Sequence, residues 1–408
     1  MSGTSSPITF GVELEFNVSK ELIDAEYQQQ ALSFLSVELA RKTNLPIGST
    51  CRCVGKNLCA GCLSVPQENR LTTKPITLYN DAARKVSASK GESMTLYDLY
   101  FIKKEDCVPA GCQDEYCGME ITTPIRKADE IAAGLSEIKQ LISALSSTQC
   151  GIEIGDTTGL HVHIGTDKLT LRMLQKCVTL VSILELPLLQ AIQPEYRRED
   201  SWGHADLILP NGTITTEPFK LDPAWQQAAV YKRQKAQVDA HVPLEAQQGN
   251  AYWQKHGKQI EKFLDSVWTA PTLNDLGVGI CAWGSERIGL ALAPRGPAPY
   301  ENNESTIEFR YAAMTFDHAY ISMWVKVVSR IVEISRLEAS DFSVRVTNIL
   351  QALSNWTELQ PETCFADLIL ALGFTPAQAQ EWVPLMVAHR KDQDPSVDES
   401  GCLIARKM

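Results

Sequence analysis

The segment Gly11-Val-Glu13-Leu-Glu15-Phe16 places two carboxylates at alternate positions. On a strand, Glu13 and Glu15 would leave one face while Val12, Leu14 and Phe16 leave the other. The same alternation recurs in Gly159-Leu-His161-Val-His163-Ile-Gly165 with two imidazoles, and in Thr306-Ile-Glu308-Phe-Arg310-Tyr311 with a carboxylate and a guanidinium. A fourth stretch, Gly118-Met-Glu120-Ile-Thr122, would present Glu120 in the same way. If these strands are neighbours in one sheet, their polar sides gather carboxylates, imidazoles and an arginine on a surface whose reverse is apolar. Carboxylate oxygens suit Mg²⁺, and the arginine fork suits a phosphoryl group. Taken singly each pair has a plain alternative: Glu-x-Glu as a solvated face, Glu-x-Arg as an ion pair, His-x-His as a zinc site. Three such pairs together, to which Glu120 could be added, point to a cation and phosphate site.

The elements that must hold these residues can be read from periodicity. Ile8 to Val18 alternates as a strand, and Tyr27 to Lys42 has apolar positions at helical spacing. Residues 45–118, rich in Cys, Gly, Lys and Ser, read as an insertion or irregular subdomain with short strand-like pieces at Ile76 to Tyr79 and Thr95 to Ile102. Met119 to Thr123 is expected as a strand ended by Pro124, Ala128 to Ser147 as one amphipathic helix, Leu160 to Gly165 as a strand, and Leu169 to Ile192 as a long apolar helix. Tyr196 to Gly249 lacks firm periodicity, with one helix expected near Pro223 to Gln237. A helix at Ala251 to Trp268 precedes strands at Val278 to Trp283, Gly289 to Ala293 and Thr306 to Tyr311. Helices close the chain at Asp317 to Leu337, Val344 to Leu353, Phe365 to Leu372 and Ala377 to His389, followed by a polar tail.

At four stretches that follow one another along the chain, Gly11–Phe16, Gly118-Met-Glu-Ile-Thr-Thr-Pro124, Gly159–Gly165 and Thr306–Arg310, the sequence resembles the amidoligase family, a branch of the carboxylate-amine ligases that shares a fold with glutamine synthetase and glutamate-cysteine ligase. The resemblance implies an α+β fold: a mainly antiparallel curved sheet with helices on its outer face. The catalytic domain is expected over residues 1–340, including the Cys-rich insertion 45–118, with C-terminal helices and tail over 341–408. It further implies that Glu13, Glu15, Glu120, His161 and Glu308 hold divalent ions, Mg²⁺ or Mn²⁺, and that His163 and Arg310 contact ATP phosphates or the transferred phosphoryl group. Arg197 or Arg198 would bind a substrate carboxylate. The implied reaction joins a small-molecule or peptide carboxylate to an amine through an acyl phosphate, releasing ADP and phosphate, with Glu308 and Arg310 at the catalytic centre. No residue stands out as the base for the amine; Asp200, Asp206 and Glu301 lie in candidate loops. An ordinary P-loop is excluded, because no Gly-x-x-x-x-Gly-Lys-Ser/Thr occurs. The rival readings are a phosphotransferase of the guanidino-kinase type and a non-catalytic zinc-binding interaction protein.

Composition sets the outer bounds. The 408 residues, 44% hydrophobic and 21% charged, allow a sizeable core. A net charge of -11 argues against nucleic acid or an anionic membrane as the main partner. Neither a secretory signal nor a membrane-spanning run is read, so cytoplasmic residence is the default expectation. Seven of the twelve cysteines fall between Cys51 and Cys117. Cys51, Cys53, Cys59 and Cys62 offer a set for structural Zn²⁺, with Cys107, Cys112 and Cys117 available for a mixed site or for disulfides.

Overall fold

The computed structural model describes residues 8–22, 28–50, 76–105, 107–108, 112–165, 170–199, 236–238, 240–243, 249–273, 276–277, 280, 289–292, 306–398 and 401–404. The expected zinc ligands Cys51, Cys53, Cys59 and Cys62, the base candidates Asp200, Asp206 and Glu301, and most of the predicted helix at 223–237 and strand at 278–283 lie outside these residues. The chain is a mixed α/β protein with a mostly antiparallel, open sheet. It divides into two compact units: Thr9–Val162 with Ala313–Ser322 and Asp394–Met408, and Met1–Ile8 with His163–Ala312 and Met323–Gln393. Among the described residues, no helix is long and apolar enough to cross a membrane.

In the first unit, β1 (Thr9–Ser19) is followed by α1 (Gln28–Lys42), β2 (Ile47–Thr50), β3 (Ile76–Leu78), α2 (Asp81–Lys90), β4 (Tyr100–Lys104) and β5 (Tyr116–Thr122). Short β6 (Arg126–Lys127), α3 (Ala128–Ala132), α4 (Ser136–Ser146), β7 (Ile152–Glu153) and the first residues of β8 (Gly159–Gly165), up to Val162, complete it. The strands lie in the order β3-β2-β4-β5-β1-β8, with β6 and β7 also paired to β1. The pairings of β1 with β5, β6 and β7, of β2 with β3 and of β4 with β5 are antiparallel, and that of β2 with β4 is parallel.

Alternation in β1 works as the sequence demands. Phe10, Val12, Leu14 and Phe16 are each at most 1% exposed, a burial of about 1.5–3 kcal/mol per side chain. Met119 and Ile121 of β5 share that face and are fully buried. Helix α1 packs on β2, β4 and β5 and buries Leu32, Leu35 and Leu39. On the other face, a small apolar cluster of Ile76, Leu78, Ala83, Met94, Leu99 and Phe101 covers the β3 side. Asn80 caps α2 there by accepting from the Ala83 amide at 3.0 Å.

One expectation is extended and another changes. The strand-like pieces expected at 76–79 and 95–102 fall on β3 and β4, and both join the sheet that contains β1 together with β2, which the sequence reading did not place. With four residues, Ile47–Thr50, β2 is too short to show an alternation. The predicted helix 128–147 is two helices, because Gly134 (φ 83°) and Leu135 (φ 52°) turn left-handed between α3 and α4. The apolar stripe continues across the break, with Ile131, Ile138 and Ile142 still buried. The tail also returns to pair with this unit: Leu403 donates to the Ile152 carbonyl at 2.8 Å, and Ile154 to that of Gly401 at 3.0 Å.

The second unit holds α5 (Leu171–Leu184), which widens into a π-helical turn at Glu185–Leu189, then α6 (Glu195–Glu199), α7 (Ala251–Thr269), β9 (Leu290–Leu292) and β10 (Thr306–Ala313). Helices α8 (His318–Ser335), α9 (Ala339–Ala352), α10 (Phe365–Ala371) and α11 (Pro376–Arg390) follow, α8 beginning in the first unit. Pro187 accounts for the end of regular α-helix in the predicted 169–192 element. Helix α7 packs on α5, where Gln175 donates to the Val267 carbonyl at 3.1 Å and Trp268 donates to the Thr179 hydroxyl at 2.9 Å. The order β8-β10-β9 carries the last residues of β8 alongside β10, and Glu308 stands opposite Ala291.

Candidate active site

The cross-strand register of the first unit lines up charged side chains. Lys103 on β4 is opposite Glu120 on β5, and Glu120 is opposite Glu15 on β1. His161, from the neighbouring β8, extends the row: its Nδ1 lies 3.4 Å from both Glu15 Oε1 and Glu13 Oε2. Lys103 Nζ is 2.8 Å from Glu120 Oε1. Of the residues named from sequence, Glu13, Glu15, Glu120 and His161 are thus together on one sheet face. Glu15, Glu120 and His161 are 7%, 2% and 1% exposed.

Two carboxylates directly opposite each other on paired strands repel. Burial makes the repulsion costlier, because water cannot screen it. The consequence is a perturbed acid. Burial, reinforced by the charge on Glu13 and only partly offset by Lys103, pushes the Glu120 carboxyl up to about 9. Burial works against the charge on Lys103, yet Glu120 and Glu13 outweigh it and hold the ammonium above its ordinary value. Such displaced pKa values gather where a site awaits a ligand charge.

Sequence reasoning missed Glu105. One carboxylate oxygen from each of Glu15, Glu105 and Glu120 falls within 4.8 Å of the others. Glu105 follows the end of β4 and is held by its amide, which donates to the Gly118 carbonyl at 3.1 Å. Gly118 permits this approach, since a Cβ there would lie 2.1 Å from the Glu105 carbonyl oxygen and 3.1 Å from Cys107 Sγ. The glycine before Met119-Glu120 therefore has a packing role. The available signal was the alternation Phe101-Ile-Lys103-Lys-Glu105, masked by its Cys- and Lys-rich surroundings. Three oxygen donors at this separation, with Glu13 and an imidazole beside them, fit a hard divalent cation such as Mg²⁺ or Mn²⁺. A second contact steadies Glu15, whose Oε2 accepts from the Gly159 amide at 2.8 Å.

Cys107 covers the end of the row. Its Sγ lies 3.7 Å from the Phe16 carbonyl oxygen and 3.6 Å from Asn17 Oδ1. Burial, together with Glu15 and Glu105, pushes its thiol far above the ordinary range. Cys107, Cys112 and Cys117 are free thiols, so no disulfide joins them.

In the second unit, Glu308 and Arg310 of β10 form an ion pair, and His163 Nε2 lies 4.0 Å from Glu308 Oε1. Arg310 is fixed further by its amide, which donates to the Gly289 carbonyl at 2.7 Å. Tyr311, on the opposite side of β10, donates to the buried Glu185 at 2.7 Å. That bond explains a carboxylate inside an otherwise apolar helix. Arg197 is buried on α6, with Nη2 3.5 Å from the Ala312 carbonyl oxygen. The side chain of Arg198 lies outside the described residues.

Two comparisons with known proteins bear on this arrangement. No curated protein matches the chain. The model of the family described as "Putative amidoligase enzyme" matches residues 6–204. The matched span contains Glu13, Glu15, Glu105, Glu120, His161 and His163 and ends before Glu308 and Arg310. Over residues 6–204, just under half of its length, this chain is similar to the family described as "Putative amidoligase enzyme".

Proposed function

We propose that the protein is an ATP- and Mg²⁺-dependent ligase that forms an amide bond between a carboxylate and an amine. The observation that carries this reading is the buried row Glu120–Glu15–His161, whose opposed carboxylates fit a divalent cation, in a chain whose first half matches an amidoligase family. Glu13, Glu15, Glu105, Glu120 and His161 would hold the cations; when bound, these supply positive charge that offsets the equatorial oxygens of a transferring phosphoryl group.

The remaining steps belong to the protein's own side chains. His163 and Arg310 contact phosphate oxygens, the guanidinium exchanging its present partner Glu308 for them. Glu308 then remains as a further ligand or as the partner that orients His163. Transfer of the γ-phosphoryl group to the substrate carboxylate gives an acyl phosphate and ADP; attack by the amine breaks the acyl C–O bond and releases phosphate. Buried Arg197 supplies a cation for a substrate carboxylate. A cavity of about 330 Å³, lined by Lys20, Glu105, Gln113, Tyr116 and Gly118 among others, gives small molecules access beside Glu105.

Hydroxylamine trapping tests the reaction class. With ATP, Mg²⁺ and a panel of carboxylates, a ligase yields a hydroxamate and ADP. Arg310→Ala and Glu308→Ala abolish both products while the fold is retained. Stoichiometric phosphorylation of a guanidino acceptor with no hydroxamate would replace this reading by the phosphotransferase one.

A further inference from the structure

Lys103 occupies a position that no motif assigns. It lies opposite Glu120 in the β4–β5 ladder, and its ammonium is 2.8 Å from Glu120 Oε1. Glu120 in turn stands opposite Glu15 and shares a cluster of oxygens with Glu15 and Glu105. The two ends of the Lys103–Glu120 pair differ in environment: the lysine side chain is 38% exposed and the glutamate's is 3% exposed. The carboxylate is therefore fixed in the interior, whereas the ammonium reaches it from the rim on a flexible four-carbon stem.

A divalent cation coordinated by Glu15 and Glu120 would compete with this ammonium for the same carboxylate. We propose that Lys103 serves as a built-in countercharge: its ammonium occupies the Glu120 oxygen when no cation is present and swings to solvent when one binds, thereby setting cation affinity. The inference rests on the reading of the row as a divalent-cation site. Its physical content is a competition between charges. With Lys103 in place, the row resists weak or adventitious cations; without it, no positive charge competes for Glu120 and cations bind more tightly.

Mn²⁺ titration, followed by electron paramagnetic resonance of the free ion, measures this directly in wild type, Lys103→Met and Lys103→Arg. Lys103→Met is expected to bind Mn²⁺ about tenfold more tightly, the scale for removing a unit charge roughly 5 Å from a divalent ion at the dielectric of water. Lys103→Arg restores the charge and returns affinity toward wild type. A second readout needs no variant: acetylation of Lys103 in wild-type protein, followed by peptide mass spectrometry, rises when Mn²⁺ is added, because the ammonium leaves Glu120. Equal or weaker Mn²⁺ binding in Lys103→Met, or acetylation unchanged by Mn²⁺, overturns the role of Lys103 while leaving the cation site standing. Absence of Mn²⁺ binding in wild type and variant alike overturns both.

Discussion

Replacing Glu120 by glutamine acts on the row at a point that is 2% exposed, with little change in shape. Below about pH 4.5 the carboxyl is neutral in the folded and unfolded chains. As pH rises from there toward about 9, the unfolded chain ionises while the folded one keeps its proton. The raised folded-state value therefore means that stability is fully present at acid pH and is lost as pH climbs through this window. At pH 7 the cost is about 3 kcal/mol, from 1.36 kcal/mol per pH unit. Glutamine removes that cost but weakens the contact with Lys103 by about 1 kcal/mol, leaving a net gain of about 2 kcal/mol. Urea unfolding in the presence of EDTA should show Glu120→Gln more stable than wild type at neutral pH, with the advantage growing toward alkaline pH. Added Mn²⁺ should reverse the order, because only a protein that binds the ion gains stability from it. A variant less stable than wild type at every pH in EDTA, with an unchanged pH slope, would refute the electrostatic reasoning.

Two further outcomes test the framework around the row. Gly118→Ala places a methyl group against the Glu105 backbone; it should destabilise the protein by about 2–3 kcal/mol and weaken Mn²⁺ binding, and wild-type stability in urea would show that Glu105 is not held there. Cys107, buried and with its thiol pushed up in pKa, should resist iodoacetamide in the native protein at mildly alkaline pH and react once unfolded. Rapid native labelling at Cys107, read by peptide mass spectrometry, would contradict its position over Asn17.

The alternating motifs were legible because period-2 spacing fixes which side chains share a face, whatever the neighbouring strands are. Glu13 with Glu15 and His161 with His163 could thus be singled out from sequence alone. What sequence could not supply is register. Only pairing shows that Glu120 stands opposite Glu15 and Lys103 opposite Glu120, and these oppositions generate the electrostatics of the site. Glu105 escaped notice for a related reason: its place depends on a backbone contact with Gly118, distant by the loop between β4 and β5. The break between α3 and α4 was invisible to periodicity because the apolar stripe resumes in phase after Gly134 and Leu135. The helices of the second unit, by contrast, followed their apolar spacing closely, since packing of one face decides their position.

As a divalent-cation site, the opposed carboxylates Glu15 and Glu120 must bind a metal ion in solution. Isothermal titration of wild type and Glu15→Gln with MnCl₂, after removal of metals by EDTA, tests it most directly. Saturable binding is expected in wild type, accompanied by proton release as Glu120 ionises, and is expected to be lost in Glu15→Gln. No binding in wild type, or unaltered binding in Glu15→Gln, would contradict it.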